Sequence, residues 1–325
     1  MKAHCNAKRL AALLAVAALV LCCLLALLRP RAVTTAAPVD GAIPLPVVMY
    51  HHVLGEDSSL LGDYVISCSE LESDLAWLKA SGYQTISLQQ LLDYVDGKGD
   101  LPPRPVLLTF DDGYESFYAN AYPLLQKYQA NAVVSVIGRY SDLYSQPGVV
   151  KHLNYSHLNW DQVRELDASP LVEIGNHSYD RHDATGKKSP KGAKPVQGQG
   201  QENYRQAFQQ DTEKNQQALA AAVSQAPVLY AYPFGLYTNA SEEVLKAMGY
   251  RITLTCEERV NWITRDPDCL YLLGRFNRPH GIRSADFFAP GGQGPAAITG
   301  PLGRTAMSGS TASAAVQMGP AGPGR

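Results

Sequence analysis

The residues best suited to chemistry are carboxylates and imidazoles placed just after apolar runs. In "VLLTFDDGY", a β-favouring segment ends at Phe110 and delivers Asp111 and Asp112 side by side. Two adjacent carboxylates at the end of a buried strand repel each other and resist desolvation, so either they form a turn or something cationic compensates them. In "LVEIGNHSYDRHD", a second strand-like run ends just before His177, and His182 lies five residues further on. On a regular helix that spacing leaves the two imidazoles about 140° apart, so a shared ligand requires an irregular loop after the strand. Two neutral imidazoles and one carboxylate can hold a divalent ion with a position left for water. One aspartate would then ligate the ion while its neighbour stays ionised as a base toward the water. Taken singly, the Asp-Asp-Gly turn and the loop histidines are each as compatible with ordinary surface roles. Their combination favours a hydrolytic metal site.

Positioning such a site requires strands whose carboxyl ends converge. From Pro44 the chain alternates short β-branched runs with amphipathic segments: runs at 46–50, 84–87, 106–110, 132–137, 171–175, 228–234 and 251–255. Between them, Ser67 and Glu70 have capping-box spacing ahead of Leu71, Leu75 and Leu78, and a second helix starts at Asn239 or Ser241 and stops at Gly249. Strand and helix in alternation predict an α/β fold with a parallel sheet, either a barrel or a doubly wound sheet.

The chain has 325 residues, of which 46% are hydrophobic, enough for one large domain with a full core. A formal net charge of −2, without a basic stripe, gives no case for nucleic acid. Basic residues at 1–9 precede an uncharged run at 10–28, just long enough to span a bilayer. We read it as a signal anchor, with a cleaved signal peptide as the alternative. Either places the remainder outside the cytoplasm, at the membrane in the first case and secreted in the second. Residues 29–43 form a linker, 44–289 the folded domain, 187–203 a polar insertion expected to be a mobile surface loop, and 290–325 a low-complexity tail with too little apolar content to pack. In an exported domain, Cys256 and Cys269 could form a disulfide or remain separate thiols. Nothing in the sequence specifies an oligomeric state.

"TFDDGY" (109–114) and "GNHSYDRH" (175–182) resemble the first two motifs of the polysaccharide deacetylases with a NodB homology domain, also called carbohydrate esterase family 4. "YAYPFGLYTN" (230–239) is similar to their third motif. "LPVVMYHHV" (45–53) and "LGRFNRPHG" (273–281) resemble the start and the closing strand of the MYHH-type branch that includes poly-β-1,6-N-acetylglucosamine deacetylases. The resemblance implies a distorted (β/α) barrel with fewer than eight regular repeats. It implies removal of N-acetyl groups from N-acetylglucosamine units of a polysaccharide. Asp111 would be the general base, and Asp112, His177 and His182 the ligands of a divalent cation, Zn²⁺ first with Co²⁺, Ni²⁺ or Fe²⁺ as alternatives. The backbone N–H of Phe234 would stabilise the oxyanion.

The sequence departs from the family pattern in three places. Four residues rather than three separate His177 from His182, a spacing similar to that of the MYHH-type branch. An arginine that often opens the third motif is replaced here by Tyr230 and Ala231, and Arg275 is the expected substitute. The usual late histidine acid is also displaced. The branch resemblance assigns the general acid to His51, with His52 next and His280 as a further option. Tyr114, Tyr232, Pro233 and Phe234 are expected to line the sugar groove, with core packing the equal alternative and strongest for Tyr232, whose place in strand alternation can turn it inward. Alternative readings are a peptidoglycan deacetylase and a catalytically silent carbohydrate-binding module.

Overall fold

The computed structural model describes residues 41–184 and 190–288 together with Gly294. Its centre is the run Pro105–Phe110 (β6), in which all six residues are buried, as a strand covered on both faces requires. Around it lie Val47–Tyr50 (β2), Gln84–Thr85 (β5), Ala132–Val136 (β7), Val172–Asn176 (β8), Leu229–Ala231 (β9), Ile252–Leu254 (β10) and Phe276–Asn277 (β12). Every one of these pairings is parallel, in the order β10-β9-β8-β7-β6-β2-β12 with β5 added beside β6. All seven runs expected from the sequence are therefore strands.

The sheet curls. Leu273 exchanges backbone hydrogen bonds with Thr253 and Thr255 at the β10 edge, and three residues later Phe276 pairs with Val48 of β2 near the opposite edge. The segment 273–277 thus reaches both sides of a curled parallel sheet, the coarse form of the barrel implied above. Short strands outside this sheet are Ile43–Leu45 (β1), paired antiparallel with Asn261–Ile263 (β11), and His52–Leu54 (β3), paired with Val65–Ser67 (β4).

Helices cover the sheet: Cys68–Ala80 (α1), Leu88–Val95 (α2), Tyr122–Tyr128 (α3), Gly138–Tyr144 (α4), Trp160–Asp167 (α5), Gln201–Ala220 (α6), Asn239–Ala247 (α7) and Ser284–Phe287 (α8). The Ser67–Glu70 capping box forms as expected, and Leu71, Leu75 and Leu78 are buried. In α7 the cap is Thr238, one residue before the expected start, because its hydroxyl accepts from the Ser241 N–H.

Part of the polar insertion differs from expectation. Residues 201–203 open α6, and residues 191–194 are docked rather than loose. Gly192 donates to the Arg181 carbonyl, the buried Arg181 returns a bond from Nε to the Gly192 carbonyl, and Ala193 is fully buried. The polar composition misleads because the segment's own carbonyls satisfy a buried arginine. Among the described residues no helix is long and apolar enough to cross a membrane. The expected anchor at 10–28 and, apart from Gly294, the tail at 290–325 lie outside the described residues.

Candidate active site

The site is assembled at the carboxyl ends of β2, β6, β8 and β9, where a parallel sheet gathers loops from separate strands. After β6 the backbone turns sharply: Asp112 has φ +69° and Gly113 φ +66°. Aspartate tolerates this left-handed conformation, while at Gly113 a Cβ would meet Val136 Cα at 3.3 Å. The turn sends the two neighbouring carboxylates in different directions.

Asp111 faces Arg275. Its two oxygens each accept a 2.7 Å bond, one from Nη1 and one from Nη2. Arg275 is fully buried and also donates from Nε to the Thr255 carbonyl, so its fork is oriented before it meets the carboxylate. Burial opposes ionisation of Asp111, but the Arg275 guanidinium, helped by His177 and His51, holds its carboxyl below the usual range.

Asp112 faces the histidines. Its Oδ1 lies 3.2 Å from His177 Nε2 and 3.1 Å from His182 Nε2, yet it is buried and accepts no hydrogen bond of good geometry. Adjacent ligands around a tetrahedral ion with bonds of about 2.0–2.1 Å stand roughly 3.3 Å apart, so this spacing suits three atoms aimed at one cation. His177 Nδ1 is 2.8 Å from the Ala231 carbonyl, which places its proton on that nitrogen and turns the Nε2 lone pair toward Asp112. His182 reaches the same point across an irregular loop that begins at Ser178, φ +70°. Burial again opposes the charge on Asp112, and His182 and His177 outweigh it, holding the carboxyl well below its ordinary value. The three residues together fit a divalent cation by donor type, convergence and an unsatisfied buried oxygen.

His51 and His52 separate as neighbours on an extended chain do. His51 faces Asp111, Asp112 and His177; burial lowers its pKa while the two carboxylates oppose that shift. Its Nδ1 is buried without a partner, and its ring meets the exposed Tyr64 edge-on at 4.9 Å. His52 points elsewhere: its Nδ1 is 2.9 Å from Ser116 Oγ and its ring stacks on Tyr114 at 3.5 Å. His280 is away from the site, because its Nδ1 lies 2.8 Å from Glu70 Oε2 at the start of α1. As an option for the acid it is therefore set aside.

The expected groove residues divide. Phe234, with φ +57°, sets its ring 4.4 Å from His182. The Tyr114 phenol is pushed up by burial and by the neighbouring Asp112 carboxylate. Tyr232 instead belongs to the core: it is fully buried and donates to Glu242 Oε1 at 2.7 Å. Pro233 is also buried, at the base of the turn that carries Phe234. The position of Tyr232 follows from strand alternation, which puts it on the face opposite Ala231, packed with Phe208 and Tyr230.

Cys256 and Cys269 are both free. Cys256 Sγ lies 3.7 Å from Met49 Sδ and 3.8 Å from Arg275 Nη2, whereas Cys269 turns back on Thr264, so the disulfide option is not taken.

Two residues were not legible as part of this environment. His157, after the loop that follows α4, packs its ring 4.7 Å from Tyr114. Lys191, from the docked insertion, pairs by its backbone with His182 and holds its ammonium 5.2 Å from the Phe234 ring centre. Neither lies in a recognisable motif; only the proximity of Tyr114 and His182 in space reveals them.

The profile of the family described as "Polysaccharide deacetylase" matches residues 98–253. The chain is 31% identical over 208 residues to a poly-β-1,6-N-acetyl-D-glucosamine N-deacetylase of Escherichia coli K12, covering 59% of this chain and 31% of that protein. It thus spans about a third of that relative's length. Among solved structures, IcaB from Ammonifex degensii is 31% identical with a TM-score of 0.58, covering 72% of this chain and 91% of that one. A de-N-acetylase from Aggregatibacter actinomycetemcomitans is 26% identical with a TM-score of 0.62, covering 73% and 95%.

Proposed function

The chain belongs to the polysaccharide deacetylase family, and on that premise we propose that it is a metal-dependent N-deacetylase of an N-acetylglucosamine polymer, a β-1,6-linked one in the first instance. The observation that carries this reading is the division of labour between two adjacent aspartates: Asp111 gripped by Arg275, Asp112 aimed with two imidazoles at one point. The names of the relatives above support the linkage.

Asp112, His177 and His182 would hold the cation. When bound, a divalent ion there supplies Lewis acidity toward the acetyl carbonyl and makes a nearby water more acidic. Asp111, kept ionised by Arg275, takes a proton from the attacking water as its oxygen bonds to the acetyl carbon. The Phe234 N–H would donate to the oxyanion, a role supported by the left-handed turn that sets its ring beside His182. His51 returns a proton to the amine nitrogen as the C–N bond breaks, giving acetate and a free glucosamine unit. Burial lowers the His51 pKa and the carboxylates facing it only partly offset that, so the imidazole gives up its proton readily once it carries one. Arg275 orients the base. Tyr114 and Phe234 bound the mouth in which the sugar sits.

We further propose that residues 10–28 anchor this domain to the outer face of the cell membrane, on the strength of the basic residues and apolar run alone. Acetate release from β-1,6-linked oligomers, chitooligomers and peptidoglycan, measured side by side on metal-loaded protein, tests the reading. Preference for the first is expected. Release only from peptidoglycan would move the substrate to the cell wall. Release from none, with retained polymer binding, would make the chain a binding module.

A further inference from the structure

Seven large hydrophobic side chains are exposed among the described residues, and four of them lie in one stretch, 143–155. Leu143 is 41% exposed, Val150 77%, Leu153 38% and Tyr155 52%. A soluble surface rarely gathers such residues without a use. This stretch carries a single charge, Lys151, which lies 3.8 Å from Glu115.

The stretch is stitched to the catalytic turn. Glu115 N–H donates to the Ser156 carbonyl and Leu158 N–H to the Gly113 carbonyl, both at 2.8 Å. A line of rings then runs outward from the mouth. Tyr114 contacts His157 at 4.7 Å, His157 contacts Tyr140 at 4.3 Å and Tyr144 at 5.8 Å, and the Tyr144 hydroxyl donates to the Tyr155 carbonyl at 3.3 Å. The Tyr155 ring is itself held: His152 stacks on it at 5.3 Å with the planes 12° apart, and the Tyr155 N–H donates to the His152 carbonyl. An aromatic ring fixed by its neighbours and left open to water loses little freedom when it binds a ligand.

We infer that Tyr155, with Leu153 and Val150, forms a binding platform for uncharged N-acetylhexosamine units of the same chain, beyond the unit being deacetylated. This rests on the function proposed above. Pyranose rings present apolar C–H faces edged by hydroxyl and amide groups, which matches an aromatic and aliphatic surface interspersed with Ser145, Gln146 and Asn154. The near absence of charge fits acetylated units better than a nucleic acid or an acidic glycan. Continuity with the turn that bears Asp111 and Asp112 favours the substrate's own chain over a separate protein.

The test is steady-state acetate release by the full-length protein from short and long oligomers, alongside gel retardation by the polymer, which needs no turnover. In Tyr155→Ala, KM for long oligomers should rise roughly three- to tenfold, as loss of one aromatic contact allows, and polymer retardation should weaken. KM for short oligomers and kcat should stay unchanged, and Tyr155→Trp should restore the long-oligomer value. If the wild type releases no acetate while retardation still depends on Tyr155, the platform stands and the deacetylase reading falls. If acetate is released and neither long-oligomer KM nor retardation responds to Tyr155→Ala, the platform is wrong. A changed sedimentation coefficient with unchanged retardation would likewise overturn it and make the patch a protein-docking surface.

Discussion

Arg275 and Asp111 lie 164 positions apart in sequence and meet through two parallel 2.7 Å hydrogen bonds in a fully buried setting. The pair joins the segment that closes the curled sheet to the strand at its centre, so under the proposed function one contact would serve both fold and chemistry. Truncating Arg275 to methionine leaves a buried carboxylate without its counter-charge and should cost about 3–5 kcal/mol. Arg275→Lys is more informative. It keeps the charge but loses the fork, so acetate release should fall about 10- to 100-fold with a smaller loss of stability. Comparing kcat with the denaturation midpoint for the two variants separates orientation from folding.

Metal affinity should follow the division between the aspartates. Asp112→Ala or His177→Ala removes a donor, and Zn²⁺ affinity measured by calorimetry should drop by more than the roughly 10- to 100-fold that losing an outer partner costs. Asp111→Asn should bind Zn²⁺ within a few-fold of wild type and still release no acetate. Loss of binding in Asp111→Asn would show that both aspartates ligate the ion.

His51 and His52 provide a paired control. His51→Ala should lower kcat by about a hundred- to ten-thousandfold with the fold intact, since its Nδ1 has no partner to lose. His52→Ala removes the stack on Tyr114 and the contact with Ser116, so it should lower stability first. Equal activity of His51→Ala and wild type would remove His51 from the mechanism.

Burial pushes both His52 and His157 down to about 4. In the unfolded chain each titrates near 6.5, so between these values the unfolded state binds more protons than the folded one. Their neutral forms therefore contribute fully above pH 6.5, and stability is lost as pH falls from about 6.5 toward about 4, by on the order of 3 kcal/mol per group. Denaturant titrations across that range should show the loss, and His157→Phe should flatten roughly half of it. A stability that does not change between these pH values would contradict the buried neutral state.

Much of this site was legible because strand ends advertise themselves. A run of buried β-branched residues followed by Asp111 and Asp112, and another followed by His177, places those side chains at the carboxyl ends of strands that a parallel sheet brings together. The preference for His51 over His52 comes from the resemblance; that His51 faces the two carboxylates while His52 turns to Ser116 and Tyr114 is visible only in the structure. His280 stayed open as an option in the sequence because its partner, Glu70, is 210 residues away and no local pattern encodes that contact. Tyr232 shares a motif with Phe234 yet sits in the core, because a motif records neighbours along the chain and not the side of the strand. The docked insertion was hidden for a similar reason. Its polar residues look mobile until Arg181 is seen bonding to its carbonyls.

That docking supplies a last prediction. Gly192 has φ +59°, and a Cβ there would lie 2.6 Å from the Pro233 carbonyl oxygen and 2.9 Å from Leu236 Cβ. Both the conformation and the space exclude a side chain, and the neighbours are backbone atoms and a Cβ, which cannot swing aside as a side-chain tip could. On one side of Gly192, Lys191 pairs with His182; on the other, Ala193 donates to the Leu236 carbonyl just after the Phe234 turn. Gly192→Ala must therefore displace either the insertion or the turn. We expect a stability loss of about 1–3 kcal/mol, from strain that the surrounding packing holds in place. Because His182 and Phe234 are both attached to the displaced parts, Zn²⁺ affinity and acetate release should fall together, unlike in Asp111→Asn. Wild-type affinity and rate in Gly192→Ala would mean that the insertion is not tied to the site.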